Sequence, residues 1–312
     1  MRCASGGWVT IFHMPELAQP GEVQPVISGQ AAVDQLVAIL DLEPIEVDIF
    51  RGSSPDESLQ RVFGGQVAGQ ALVAAGRTVP SDRPVHSLHA YFLRPGDPAV
   101  PIIYLVDRIR DGRSFTTRRV VAVQHGQPIF NLSASFALIE SGLEHQLAMP
   151  AVPPPDRLPT FAERVAPFGE RLGPIIRLPR PIDLRYVEDP PWVSRDDGPR
   201  EPRQQVWLRT DGKLPDDPLV HVCALTYASD MTLLDSVLAA HGLAWRLDDV
   251  IGASLDHAMW FHRPFRTDEW LLYDSESPSA FGGRGLATGR IFAADGRHVV
   301  SVVQEGLVRV RR

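Results

Sequence analysis

Over most of the chain apolar positions come in short runs separated by turn residues, which predicts strands; in two places they spread into longer segments that predict helices. The helical segments are Gln66 to Thr78 and about Pro218 to Ala228. Each precedes an aromatic-rich strand: Ser87-Leu88-His89-Ala90-Tyr91-Phe92-Leu93-Arg94-Pro95 in one case, Ser254-Leu255-Asp256-His257-Ala258-Met259-Trp260-Phe261-His262-Arg263-Pro264 in the other. Both end in Arg-Pro. An apolar run follows (Ile102 to Val106; Trp270 to Tyr273), then a stretch closed by a turn signal, then a last apolar strand. The turn signals are His125-Gly126 and Asp295-Gly296, the second a favoured two-residue hairpin dipeptide. The pattern reads strand, helix, several antiparallel strands, twice over, with the Arg-Pro stop and the turn at matching separations.

One long helix wrapped by a curved antiparallel sheet is the hotdog arrangement, and a sheet of this size buries the helix as its core. The expected fold class is therefore α+β, a double hotdog made of two fused repeats. Proline divides the repeats: thirteen of the 28 prolines fall between Pro150 and Pro202, a stretch that can hold neither a long helix nor a central strand. The expected organisation is a loose tail over 1–30, which shows no amphipathic period, an N-terminal repeat over 31–140, a proline-rich connector over 141–180 and a C-terminal repeat over 181–312.

A length of 312 residues with 44% hydrophobic content is ample for a packed core. The net charge of −7 is spread along the chain, which argues against nucleic acid as the main partner, because phosphate-backbone binding wants a positive field. Two cysteines, Cys3 and Cys223, make neither a disulfide framework nor a Cys-based metal site, and they fit a reducing cytoplasm. Nowhere do eighteen apolar residues run together, so no membrane span is expected.

Several chemistries lack their motifs. Gly252-Ala253-Ser254-Leu255-Asp256 comes near the Gly-x-Ser-x-Gly nucleophile elbow, but Asp replaces the final Gly. Lys213 is the single lysine, and no phosphate-cradling loop surrounds it. Gly282-Gly283-Arg284-Gly285 sits between strands rather than at a strand-to-helix junction, so a dinucleotide site is not expected. The ten histidines show no metal-ligand spacing, and neither a metal nor a cofactor is expected.

A polar trio remains. Gln304 ends Val299-Val300-Ser301-Val302-Val303, an apolar strand in which a side-chain amide must find partners or cost about 1–3 kcal/mol. Asp230 lies just after the second helical segment and is equally readable as a helix cap. Ser254 opens the aromatic strand, where an isolated serine is more often a satisfied surface or edge hydroxyl. Aligning the repeats on Arg-Pro sets Val85 or Ser87 opposite Ser254, and the turns set Ala134 or Ser135 opposite Gln304. If the trio is a site, there is one per chain, in the second repeat. His86 and His89 also invite an acid–base role, but as histidines lining a sheet they need none.

The runs Arg61-Val62-Phe63-Gly64-Gly65-Gln66-Val67-Ala68-Gly69-Gln70-Ala71-Leu72, His86 to Gly96, Tyr227-Ala228-Ser229-Asp230, Asp256 to Phe265, Glu269-Trp270-Leu271-Leu272-Tyr273 and Val303-Gln304-Glu305-Gly306 resemble the acyl-CoA thioesterase II family, the TesB type, over about residues 31–312. The resemblance implies a double hotdog that hydrolyses acyl-CoA to fatty acid and CoA with an Asp, Thr-or-Ser, Gln set. The Asp of the Tyr-Ala-Ser-Asp run is Asp230, and the Gln of the Val-Gln-Glu-Gly run is Gln304. The hydroxyl residue two positions before Asp256-His257 is Ser254, where some members carry Thr. These three are expected to hold and activate a water, with Gly64-Gly65 or the Asp230 junction offering oxyanion donors. Two alternatives stay open: a non-catalytic acyl-CoA-binding protein, and a hotdog enoyl-CoA hydratase, for which Asp230 lacks a histidine close behind it until His241. The substrate acyl-CoA is the expected partner. A homo-oligomer is expected because hotdog sheets leave edges that pair, and a cytoplasmic location because Arg309-Val310-Arg311-Arg312 is no peroxisomal signal.

Overall fold

The computed structural model of the protein describes residues 26–55, 61–168, 178–245 and 247–311. Most of the loose tail expected over 1–30 lies outside the described residues. Its end, however, begins a helix: α1 (Gly29–Leu40) buries Ala32, Val33, Leu36 and Leu40 along one stripe. It is held at its start by the Gly29 amide donating to Asp211 Oδ2 at 2.6 Å, a partner 182 residues away that local pattern does not reveal.

The strands are β1 (Glu43–Glu46), β2 (Ile49–Gly52), β3 (Val85–Phe92), β4 (Ile102–Asp111), β5 (Phe115–Gln124), β6 (Gln127–Ala137), β7 (Ile182–Tyr186), β8 (Arg203–Thr210), β9 (Val250–Ser254), β10 (Asp256–Phe261), β11 (Leu271–Phe281), β12 (Arg284–Ala293) and β13 (His298–Val310). Among the described residues they form one antiparallel sheet in the order β1-β2-β4-β5-β6-β3-β10-β13-β12-β11-β8-β7, with β9 also paired to β13. The order reads the same from both ends: β3 answers β10, β6 answers β13, β5 answers β12 and β4 answers β11. This is a double hotdog, its halves joined where His89 of β3 faces Ala258 of β10. The repeated Arg-Pro keeps one job in both halves. Arg94 donates to the Pro128 carbonyl at 2.6 Å, and Arg263 donates to the His298 carbonyl at 2.9 Å, tying each strand end to the start of its neighbour.

Two helices fill the curve of the sheet: α2 (Gly64–Gly76) and α3 (Pro218–Ser229). Every residue of α2 from Gly65 to Ala75 is buried. The helices touch backbone to backbone at Gly65 and Gly69, where a Cβ would come within 2.3 Å of the Tyr227 carbonyl and 3.1 Å of the Cys223 carbonyl. A larger residue at Gly65 would force the helices apart. A short helix, α4 (Asp235–Ala239), follows α3 and rests on glycines of the sheet: Val237 occupies the space a Cβ on Gly285 would need, and Leu234 that of one on Gly306.

The turns divide. His125 and Gly126 both have positive φ (50° and 69°), as a tight two-residue hairpin requires. Asp295-Gly296 does not form one: only Gly296 is left-handed, its amide donates to the Ala293 carbonyl, and the hairpin closes from Ala293 to Arg297. The extra residue is absorbed by a register shift in β12–β13. Among the described residues the proline-rich stretch runs without long helices along the outer face of the second half. Trp207 Nε1 donates to the Pro153 carbonyl, and Met149, Val152 and Leu158 cover Trp207, Leu272 and Phe292.

Candidate active site

Asp230 is the residue that ends α3, in the C-cap position with φ −84° and ψ −1°. The capping alternative fails on polarity: a helix C-terminus is the negative end of the dipole and disfavours a carboxylate. Its partners come from elsewhere. Ser254, the last residue of β9, donates its hydroxyl to Asp230 Oδ1 at 3.0 Å. Gln304 donates Nε2 to the same oxygen at 2.6 Å. The structure thus brings all three sequence-expected residues together, from a helix end and two paired strands, with Gly306 of β13 facing Ser254.

The other side of the carboxylate meets the first half of the molecule. A Cβ on Gly64 would lie 2.6 Å from Asp230 Oδ2, so only glycine admits the carboxylate here. The Gly65 amide also bonds to Asp230 and favours its charged form. The α2 N-terminus has Phe63 at its N-cap with no side-chain cap, so the positive dipole end of the helix is turned on Asp230. Burial raises the Asp230 pKa above the ordinary aspartate value; the electrostatic interaction with His257, the bonds from Gln304 and Ser254 and the Gly65 amide pull it back.

His257 is the residue that sequence reasoning missed. It is 1% exposed, on the same inward face of β10 as Met259. Its Nε2 pairs with Ser229 Oγ at 2.9 Å. The overlooked signal is strand alternation, which puts a histidine inside next to Met259, where a bland aromatic would be expected. The histidines singled out from sequence have other settings. His89 is exposed and meets the Trp260 ring edge-on at 5.2 Å, and His86 pairs with Ser135 Oγ at 2.8 Å.

Family models match both halves: the acyl-CoA thioesterase N-terminal domain over residues 54–137 and acyl-CoA thioesterase over 178–307. The chain is 40% identical over 307 residues to acyl-coenzyme A thioesterase 8 of Homo sapiens, covering 94% of this chain and 92% of that one. It belongs to the acyl-CoA thioesterase family. A bacterial member, acyl-CoA thioesterase 2 of Haemophilus influenzae, is 40% identical over 285 residues, covering 89% of this chain and 98% of that one. The crystal structure of the acyl-CoA thioesterase II TesB2 from Mycobacterium marinum superposes with a TM-score of 0.73 at 50% identity, covering 88% of this chain and 98% of that one. The chain is thus of the TesB type within the thioesterase family. The family's two matched segments both border the carboxylate, the first through Gly64 and Gly65, the second through Asp230, Ser254 and Gln304.

Proposed function

We propose that this thioesterase hydrolyses fatty acyl-CoA to free fatty acid and CoA by general-base activation of a water held at Asp230, Ser254 and Gln304. The observation that carries this reading is the half-buried Asp230 carboxylate, with two donors on one oxygen and a helix N-terminus of the other half against the second. With Oδ1 occupied, Oδ2 is the oxygen that takes a proton from water. The water oxygen then adds to the thioester carbonyl carbon, the C–S bond breaks, and the CoA thiolate leaves and is protonated. A thioester lacks amide resonance, so an oriented water and donors for the oxyanion supply most of what is needed. The Gly64 amide, at the same helix start as the Gly65 amide that bonds Asp230, offers an oxyanion donor beside the base. Acyl-CoA binding without turnover and hydration of an enoyl-CoA are the competing outcomes.

Palmitoyl-CoA incubated with the protein and a thiol reagent tests this reading: CoA release above blank is expected, and its abolition in Asp230→Asn. No release, or an Asp230→Asn variant as fast as the parent, rejects it. Pairing of copies along the edge strands β1 and β7 belongs to the same reading, and sedimentation equilibrium reads the mass of the assembly. Fatty-acid metabolism in the cytoplasm is likewise part of it; cell fractionation tests that placement. Among the described residues no helix is long and apolar enough to cross a membrane.

A further inference from the structure

The register that pairs Ala258 with Val303 sets His257 directly across from Gln304 on neighbouring strands, both on the face turned to the helices. Small residues flank them, Ala90 of β3 opposite His257 and Ala287 of β12 opposite Gln304. Each of the pair uses one polar end. Gln304 gives Nε2 to Asp230, and His257 meets Ser229 through Nε2. The ends that remain, Gln304 Oε1 and His257 Nδ1, are both buried and make no hydrogen bond of ordinary geometry, although a side-chain bond to Gln304 already raises the His257 pKa against the effect of burial. Two such orphans side by side each carry the full desolvation cost unless they pair.

We propose that His257 is a positioning residue: with its proton on Nδ1 it donates to Gln304 Oε1 and so fixes which end of that amide faces Asp230. This rests on the reading of Asp230 and Gln304 given above. The reason is the near-symmetry of an amide. Its oxygen and nitrogen have the same shape, and a flipped Gln304 would turn its oxygen on the Asp230 carboxylate and its NH2 on the imidazole. A donor at Oε1 removes that alternative. With the proton on Nδ1, Nε2 accepts, and the Ser229 hydroxyl turns from the Thr226 carbonyl, 2.9 Å away, to supply it. The chain Ser229, His257, Gln304, Asp230 is then satisfied end to end with every donor pointing toward the carboxylate. The first half has no such pair: Leu88 faces Ala134 at the corresponding register.

The test uses the full-length protein with His257→Asn, His257→Gln and Asp230→Asn, assayed on palmitoyl-CoA and melted in parallel. Asn keeps a donor near the Nδ1 position; Gln reaches the Nε2 position and leaves Oε1 of Gln304 alone. His257→Asn should keep kcat within about threefold of the parent, and His257→Gln should lose about tenfold or more in kcat with KM little changed. Equal loss in both variants, or none in His257→Gln, overturns the proposal. Nitrogen-15 NMR of the histidine rings gives a readout independent of turnover and of the variants' stability. The resting enzyme should carry the His257 proton on Nδ1, and Gln304→Met should release that preference; a proton fixed on Nε2 in the parent overturns the proposal. An Asp230→Asn variant with parental activity would instead reject the underlying mechanism, while the NMR result would still report on the His257–Gln304 contact.

Discussion

Leu88, Ala134 and Arg118 occupy in the first half the register positions that His257, Gln304 and Ala287 occupy in the second. In the first half the space beside the helix end is filled by the Arg118 guanidinium, 1% exposed. It donates to Thr78 Oγ1 and the Thr78, Arg110 and Thr117 carbonyls, and pairs with Asp111 at 2.6 Å. A cation at a helix C-terminus with its donors used is a settled arrangement. In the second half the same place holds a carboxylate at the wrong end of its own helix, with the buried side chains of His257 and Gln304 beside it. The helix starts differ in the opposite sense. Asp217 caps α3 through the Leu219 amide, with Pro218 behind it, whereas α2 begins on Gly64 with no side-chain cap. One end of the helix pair, where the end of α2 lies beside the capped start of α3, has therefore become structural, and the other, where α3 ends on Asp230, is completed by the uncapped start of α2 from the first half.

The sharpest way to break this contrast is to alter the two charges in turn. Asp230→Asn should lower kcat by about 10²–10⁴-fold, the usual range for loss of a general base, with little change in fold. In the parent the rate should rise with pH and level off once Asp230 is ionised. Because burial raises that pKa, the acidic fall in kcat/KM should begin above the ordinary aspartate range, and a pH–rate profile measures it. Arg118→Leu should do the converse. It leaves the Thr78 carbonyl without its donor and should cost about 2–4 kcal/mol in urea unfolding, with kcat per folded molecule unchanged; a fall in kcat at unaltered stability would contradict the structural role.

Smaller changes probe the borrowed helix. Gly64→Ala puts a methyl against Asp230 Oδ2 and should lower kcat about tenfold or more. Gly76→Ala, at the other end of the same helix, meets only the mobile end of Leu219 and should leave steady-state rates as they are. The least effect is expected from Ser254→Thr, which keeps the hydroxyl donor on Asp230 and should stay within about threefold of the parent kcat.

Much of this was legible before the structure. The two helical segments match α2 and α3 to within two residues, because both are buried stretches with clear borders. Gln304 stood out as an amide in a valine strand, and it is fully buried. Asp230 and Ser254 looked ordinary by themselves and stood out through the family motifs. Helix α1 was missed because its start is fixed by Asp211 rather than by a local cap, and the Asp295-Gly296 turn because hairpin width depends on the register of both strands.

Local pattern and motif therefore determined the repeated elements, their order and the three polar candidates, since periodicity and turn chemistry act over a few residues. What only the tertiary structure decided is how distant parts meet: Gly64 against Asp230, His257 across from Gln304, Arg118 in the matching place of the first half. Those contacts depend on sheet register and on the close approach of two helices, and both are set by packing the whole core rather than by any segment in it.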